Sequence, residues 1–520
     1  MQQKQIGRVA GVGDEEEDIV ILVDVEELND PPFLPPVGLN LTERFGLGSA
    51  FPLLSFNQGF VFQSLLAASS FQKAIFSSRT HSEQRTEYPL LKCSSRNKTD
   101  TCPATDQPQI HVIDDSSGQA CPEYFRWIHE DLRLWKEKGI TKELVESGKS
   151  TADIRLVVLD GKLYLKRNRG VFQTRDVFTI WGLLQLLRLY PGKLPDLDLL
   201  FQCGDRPVIK KANFKGEDAT KAPPIFHYCG DDETFDIAFP DWSFWGWPEI
   251  HIKPWEPLRR ELEKGNKKTT WMKREPYAYW KGNPDVSPTR GDLLKCNRKD
   301  KQDWGTQAYA VRWNQEARKG FKTTNLASQC THRYKIYAEG IAWSVSQKYI
   351  LACDSMSLHI TPRFYDFFTR GLVPTEHYWP IKRDGMCKSI KFAVDWGNKH
   401  TTKAQKIGKA GSNFVLEGLK MKNVYDYMFH LLTEYAKLLK YKPTIPPGAV
   451  QVCLEAMACD VTGIEKVFKI ASMVRHHADT GPCTMPPPYQ PEELNSFLER
   501  KANLTKQVEL WEASGAVGEF

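Results

Sequence analysis

Short apolar runs alternate with helix-period segments along the middle of the chain, and the alternation occurs twice. In the first half Arg155-Leu156-Val157-Val158-Leu159 and Leu163-Tyr164-Leu165 flank Asp160-Gly161, a dipeptide suited to a tight turn, so a β-hairpin is expected. A helix over 179–189 carries Trp181, Leu184 and Leu187 on one side and is ended by Tyr190-Pro191-Gly192. Residues 197–201 and 224–228 then read as buried strands, the first delivering Cys203-Gly204-Asp205-Arg206-Pro207 into a loop. In the second half strands are expected over 277–280, 349–353 and 357–360, with a helix over 332–341. A helix over 424–439, with Val424, Met428, Leu431, Tyr435 and Leu438 on one face, would close that half. Strands alternating with helices in both halves predict an α/β protein of two facing domains.

A chain of 520 residues is long enough for two cores. Residues 1–120 alternate acidic, Pro-rich and Ser/Thr-rich segments and read as a poorly ordered arm. Order begins near Cys121, where Ile128, Leu132 and Trp135 form a helical stripe, and a charged stretch over 259–268 separates the halves. The expected domains are therefore 121–265 and 266–445, followed by an irregular extension over 446–520 that contains Pro486-Pro487-Pro488.

A net charge of +6, spread over 70 basic and 64 acidic residues, is too dilute for a nucleic-acid surface. The surplus is aromatic: 15 Trp, 18 Tyr and 27 Phe exceed ordinary core needs and suit stacking on sugars. Twelve Cys without a C-x-x-C pair argue against structural zinc and open the question of disulfides. Asn40, Asn97 and Asn503 head N-glycosylation sequons. No apolar stretch is long enough to span a membrane, and Asp14-Glu15-Glu16-Glu17-Asp18 stands where a signal peptide would need its apolar middle.

Three groups have chemistry to offer. Asp205, at the end of a buried strand, is a candidate general base, against the alternative of a carboxylate capping a turn. Lys281, Gly282 and Asn283, with Arg290 downstream, suit a phosphate through close backbone approach and two cations, although the spacing is neither a P-loop nor a dinucleotide fingerprint and a solvated turn is the alternative. Trp242, Phe244, Trp245 and Trp247 can line a sugar subsite or simply fill a core.

Cys121-Pro122-Glu123-Tyr124-Phe125-Arg126-Trp127-Ile128-His129-Glu130-Asp131-Leu132, Pro195-Asp196-Leu197-Asp198, Phe239-Pro240-Asp241-Trp242-Ser243-Phe244-Trp245, Tyr279-Trp280-Lys281-Gly282 and the segment from Lys335-Ile336-Tyr337 to Ala352-Cys353-Asp354-Ser355 resemble the CAP10-like glycosyltransferases, family 90. The likeness covers residues 121–439 and its phrasing is nearest the plant branch. The resemblance implies a GT-B arrangement of two Rossmann-like domains, transfer with inversion, no metal ion and no cofactor beyond a UDP-glucose or UDP-xylose donor. The acceptor would be a protein or glycan hydroxyl. Asp205 falls at the family's general base, and Asn283 and Arg290 at its diphosphate site. Lys281 and Ser346 stand where animal members have Arg, which leaves Lys348, or Arg333, to replace a lost cation. The alternative is a catalytically inactive relative that binds glycans or proteins, against which the presence of Asp205 weighs. A helix followed by a returning strand would bring Cys330 and Cys353 within bridging distance, and the same pair looks bridged in the animal members. A bridge there implies an oxidising lumen, ER or Golgi.

Overall fold

The structure is a computed structural model that describes residues 118–515 apart from 300, 301 and 323, together with Tyr88, Leu91, Cys93 and Cys102. Two sheets organise it. The first contains β1 (Ile154–Leu159), β2 (Lys162–Arg167), β3 (Leu197–Phe201), β4 (Ile225–His227) and β5 (Ile237–Ala238). The second contains β6 (Glu275–Gly282), β7 (Thr306–Ala310), β8 (His332–Tyr337), β9 (Met356–Ile360) and β10 (Trp379–Ile381), and β11 (Val450–Val452) returns to the first. The strand orders are β11-β2-β1-β3-β4-β5 and β10-β9-β8-β6-β7.

In the first sheet β1 pairs antiparallel with β2 and β3, whereas β3, β4 and β5 run parallel. Asp160 and Gly161 both take positive φ, 50° and 72°, as a two-residue hairpin with right-handed twist demands. Every pairing in the second sheet is parallel; β9 is buried along its whole length, β8 nearly so, while β6 and the edge strand β7 are buried only in part. Helices cover the sheets, giving two Rossmann-like α/β lobes, consistent with a GT-B arrangement.

The sequence reading of the second lobe inverts two elements. Residues 332–337 form β8 rather than a helix, and Ser346–Leu351 is a helix where a strand is expected. Both are six-residue segments that mix polar and apolar side chains, too short for periodicity alone to separate a strand from a helix. The helix Met421–Leu438 does not close the second lobe but packs into the first core, where the Tyr435 hydroxyl donates to the Asp198 carbonyl at 2.9 Å.

The residues beyond 446, expected to be irregular, hold β11, the helices Leu454–Ala458 and Gly463–Ala471, and the long helix Pro491–Ser514. This segment straps both lobes. β11 extends the first sheet through β2, while Val508 and Trp511 enter the core of the second lobe. Disulfides Cys93–Cys459, Cys102–Cys453 and Cys121–Cys483 fasten the strap to the chain that precedes the first lobe. Part of the expected N-terminal arm is thus covalently tied down, and its remainder, with Asn40 and Asn97, lies outside the described residues. Cys296–Cys387 and Cys330–Cys353 are the other two bridges, and Cys203 and Cys229 are buried free thiols. Among the described residues no helix is long and apolar enough to cross a membrane.

Candidate active site

A cleft of about 410 Å³ opens between the lobes, at the carboxyl ends of β3, β6 and β8, where open parallel sheets expose loop ends to ligands. On the first-lobe wall the chain leaving β3 is turned by two side-chain acceptors. Asp153 Oδ2 accepts from the Cys203 amide and Gln202 Oε1 from the Gly204 amide, each at 2.8 Å. Asp205 then emerges with its side chain 38% exposed, and it is the one carboxylate among the described residues lining the cleft. Arg175 holds it. The guanidinium donates to Asp205 Oδ1 at 3.2 Å and to the Cys203 carbonyl at 3.3 Å, and lies 4.5 Å over the Trp242 ring. Reading the sequence by motif passes over Arg175, yet one signal is present. It is the first residue of the helix Arg175–Leu189, where the dipole opposes a cation, so a basic residue there calls for an anionic partner.

The second-lobe wall is built on the exit of β6. An added Cβ at Gly282 would meet the Trp280 indole at 2.7 Å, so the turn requires glycine for its close approach. Asn283 Oδ1 accepts from the Asp285 amide at 3.0 Å and caps the 3-10 turn Pro284–Val286. Arg290 is 9% exposed and donates to the carbonyls of Ala338 and Asn283 and, at 3.0 Å, to Ser344 Oγ. Ser344 Oγ lies 2.8 Å from Ser346 Oγ, which extends this polar line along the cleft. Burial lowers the Arg290 pKa to about 10, leaving it cationic at neutral pH. Among the described residues no carboxylate hydrogen-bonds to it: neutral dipoles surround the guanidinium, and Glu339 acts on it only through its charge. Trp242, Trp247, Trp280, Trp313 and Trp343 supply the apolar surface of the cleft.

A sequence profile described as Glycosyl transferase family 90 matches residues 116–512, which take in both lobes and the strap. The chain belongs to glycosyl transferase family 90. It is 27% identical over 348 residues to Protein O-glucosyltransferase 1 of Bos taurus, covering 65% of this chain and 85% of the relative. To O-glucosyltransferase rumi of Drosophila melanogaster it is 26% identical over 342 residues, 63% of this chain and 80% of the relative.

In this family 90 protein the cleft gathers Asp205, Lys281, Gly282, Asn283, Arg290, Ser346 and Trp242. Three other expected site residues lie elsewhere. Lys348 is 1% exposed and points into the first core, where Nζ pairs with Asp241 at 3.1 Å and donates to Ser243 Oγ at 2.8 Å. Phe244 and Trp245 are core residues at 1% and 0% exposure, and the Trp245 indole donates to the Tyr425 hydroxyl at 3.0 Å. The 3-10 turn Trp242–Phe244 and the residue after it splay these rings to opposite sides, so only Trp242 reaches the cleft. Arg333, the other substitute cation, donates to Asn398 and to the Met272 carbonyl, outside the cleft. Two residues further along the same strand face, Lys335 does line it.

The Cys330–Cys353 bridge is present, with Cα atoms 5.1 Å apart, although strand and helix come in the opposite order to that expected. Cys229 Sγ donates to the Asp205 carbonyl at 3.4 Å, and burial pushes the thiol pKa well up, so it serves as a donor rather than a nucleophile. Cys121, His430 and Cys483 cluster as metal ligands would, but the two sulfurs are joined in a disulfide and lack the thiolate character a metal needs. Asn503 is exposed on the helix Pro491–Ser514.

Proposed function

We propose that the cleft transfers glucose or xylose from a UDP-sugar to a hydroxyl of a protein or glycan acceptor, with inversion at the anomeric carbon and without a metal ion. One observation carries the reading: Asp205 from the first lobe and Arg290 from the second line the same cleft. Asp205 takes the acceptor proton as the acceptor oxygen attacks the anomeric carbon. The glycosidic bond electrons depart with UDP, whose charge Arg290, with Lys281, stabilises. A single lining carboxylate favours direct displacement, because a double displacement needs a nucleophile as well as an acid/base group. The same scarcity supports cationic side chains rather than a carboxylate-held divalent ion as the diphosphate partner. Glucose as the donor sugar is supported by the names of the relatives. We assign residues 121–265 to acceptor and base, and 266–445 to the nucleotide sugar. The disulfides support residence in the ER or Golgi lumen, where such bonds persist.

The test is release of free UDP from a panel of UDP-sugars, with thermal protection by each. Asp205→Asn keeps the side-chain shape and is expected to lower turnover roughly 10²-fold or more while leaving UDP affinity unchanged. Full turnover in that variant would refute the assignment of the base.

A further inference from the structure

Lys335 is a buried cation of the cleft to which the reading above gives no role. It sits on β8 in register with Tyr279 of β6 and Ser357 of β9, and is 4% exposed although it is one of the residues that line the cleft. Among the described residues its Nζ finds one hydrogen-bond acceptor, Cys353 Sγ at 3.4 Å, a disulfide sulfur and a weak one. Among the described residues no carboxylate pairs with it. The ionisable groups around it are Tyr279, whose ring centroid is 5.8 Å from Nζ, His332 on its own strand, and Arg274 just before β6. The helix Ser346–Leu351 adds Tyr349 and Lys348, the latter paired with Asp241. His359 of β9 lies further along, stacked on Tyr378. An ammonium among phenols, a disulfide and a like charge lacks the anion that a buried cation ordinarily has. Burial, with Arg274 adding to it, lowers the Lys335 pKa to about 7, so a bound anion would draw its proton back on.

We propose that Lys335 supplies a positive charge, in addition to that of Arg290, to the phosphate groups of the nucleotide held in the cleft. The inference rests on the reading of this cleft as a nucleotide-sugar site. It makes nucleotide affinity fall as pH rises through the neutral range, because the free lysine is charged below its pKa and neutral above it.

Calorimetric titration of UDP and of uridine at pH 6 and pH 8 tests this, with wild type, Lys335→Met, Lys335→Gln and Arg290→Ala. Lys335→Met and Lys335→Gln are expected to weaken UDP binding about 10- to 100-fold at pH 6, the effect of one charge-assisted hydrogen bond, and less at pH 8. Uridine affinity is expected to stay unchanged. The ionisation of UDP itself is common to every variant and cancels in the comparison. The melting temperature of the free Met variant is not expected to fall, since an apolar chain replaces an unbalanced ammonium. UDP affinity equal to wild type at pH 6, or an equal loss for UDP and uridine, overturns the proposal. Wild type that binds no UDP overturns the nucleotide reading together with it. If Arg290→Ala weakens UDP and the Lys335 variants do not, Lys335 alone is refuted.

Discussion

Lys348→Met removes one partner of the Lys348–Asp241 pair and leaves the other in place. Both side chains are 2% exposed and their charged atoms lie 3.1 Å apart, so the substitution strands a carboxylate in the core beneath the 3-10 turn Trp242–Phe244. Breaking a buried pair from one side costs about 3–5 kcal/mol. Asp241 keeps the Ser243 amide, at 2.8 Å, and the Ser243 hydroxyl as donors, which places the loss near the lower end of that range. Unfolding entropy near 2.1 cal/mol/K per residue, over roughly 400 ordered residues, converts 3–5 kcal/mol to a melting temperature about 4–6 °C lower. Lys348→Met combined with Asp241→Asn removes the stranded charge and is expected to recover most of that shift. The pair raises the Lys348 pKa above its ordinary value against the opposing effect of burial. Its stabilisation is therefore complete below the unfolded lysine pKa of about 10.4 and lost as pH rises through the higher folded value. The assay is differential scanning calorimetry of the three proteins, with UDP titrations alongside. An unchanged melting temperature in Lys348→Met, accompanied by weakened UDP binding, would refute the core reading and return Lys348 to the donor site.

Arg290→Ala is expected to weaken UDP binding by about 1.5–3 kcal/mol in calorimetry, as loss of hydrogen bonds to a charged group does. Gly182→Ala places a Cβ 2.4 Å from the Trp245 ring, and overpacking of this kind lowers stability by about 1–3 kcal/mol in denaturant melts. Cys330→Ser with Cys353→Ser opens a loop of sequence separation 23 and is expected to cost about 3 kcal/mol, while non-reduced peptide mapping of the native protein should recover all five described bridges.

Local chemistry was legible without the fold. The Asp160-Gly161 hairpin, the strand Leu197–Phe201 and the loop that carries Asp205 follow from turn residues and short apolar runs, which act over a few neighbours. Arg290 and the Lys281-Gly282-Asn283 turn stand out by residue type, the resemblance favours them over a solvated turn, and the cleft brings them together with Asp205. What a side chain touches across the fold was not legible. The motif around Trp242, Phe244 and Trp245 has one composition, yet one ring faces the cleft and two face the core, and only the turn geometry separates them. Lys348 and Lys335 are both lysines near the same helix. Asp241, 107 residues away in sequence, draws the first into an ion pair, while β-sheet register sets the second on the cleft. Four of the five described disulfides join cysteines 91 to 366 residues apart, and no local spacing encodes such pairings. Sequence alone determined the elements of the first lobe that turn chemistry brackets, and the candidate chemical groups, because propensity and turn chemistry are short-range; it inverted β8 and the helix Ser346–Leu351 and missed the strap. Tertiary structure decided which groups share the cleft, because burial and charge pairing depend on residues that meet only when the two lobes and the strap are assembled.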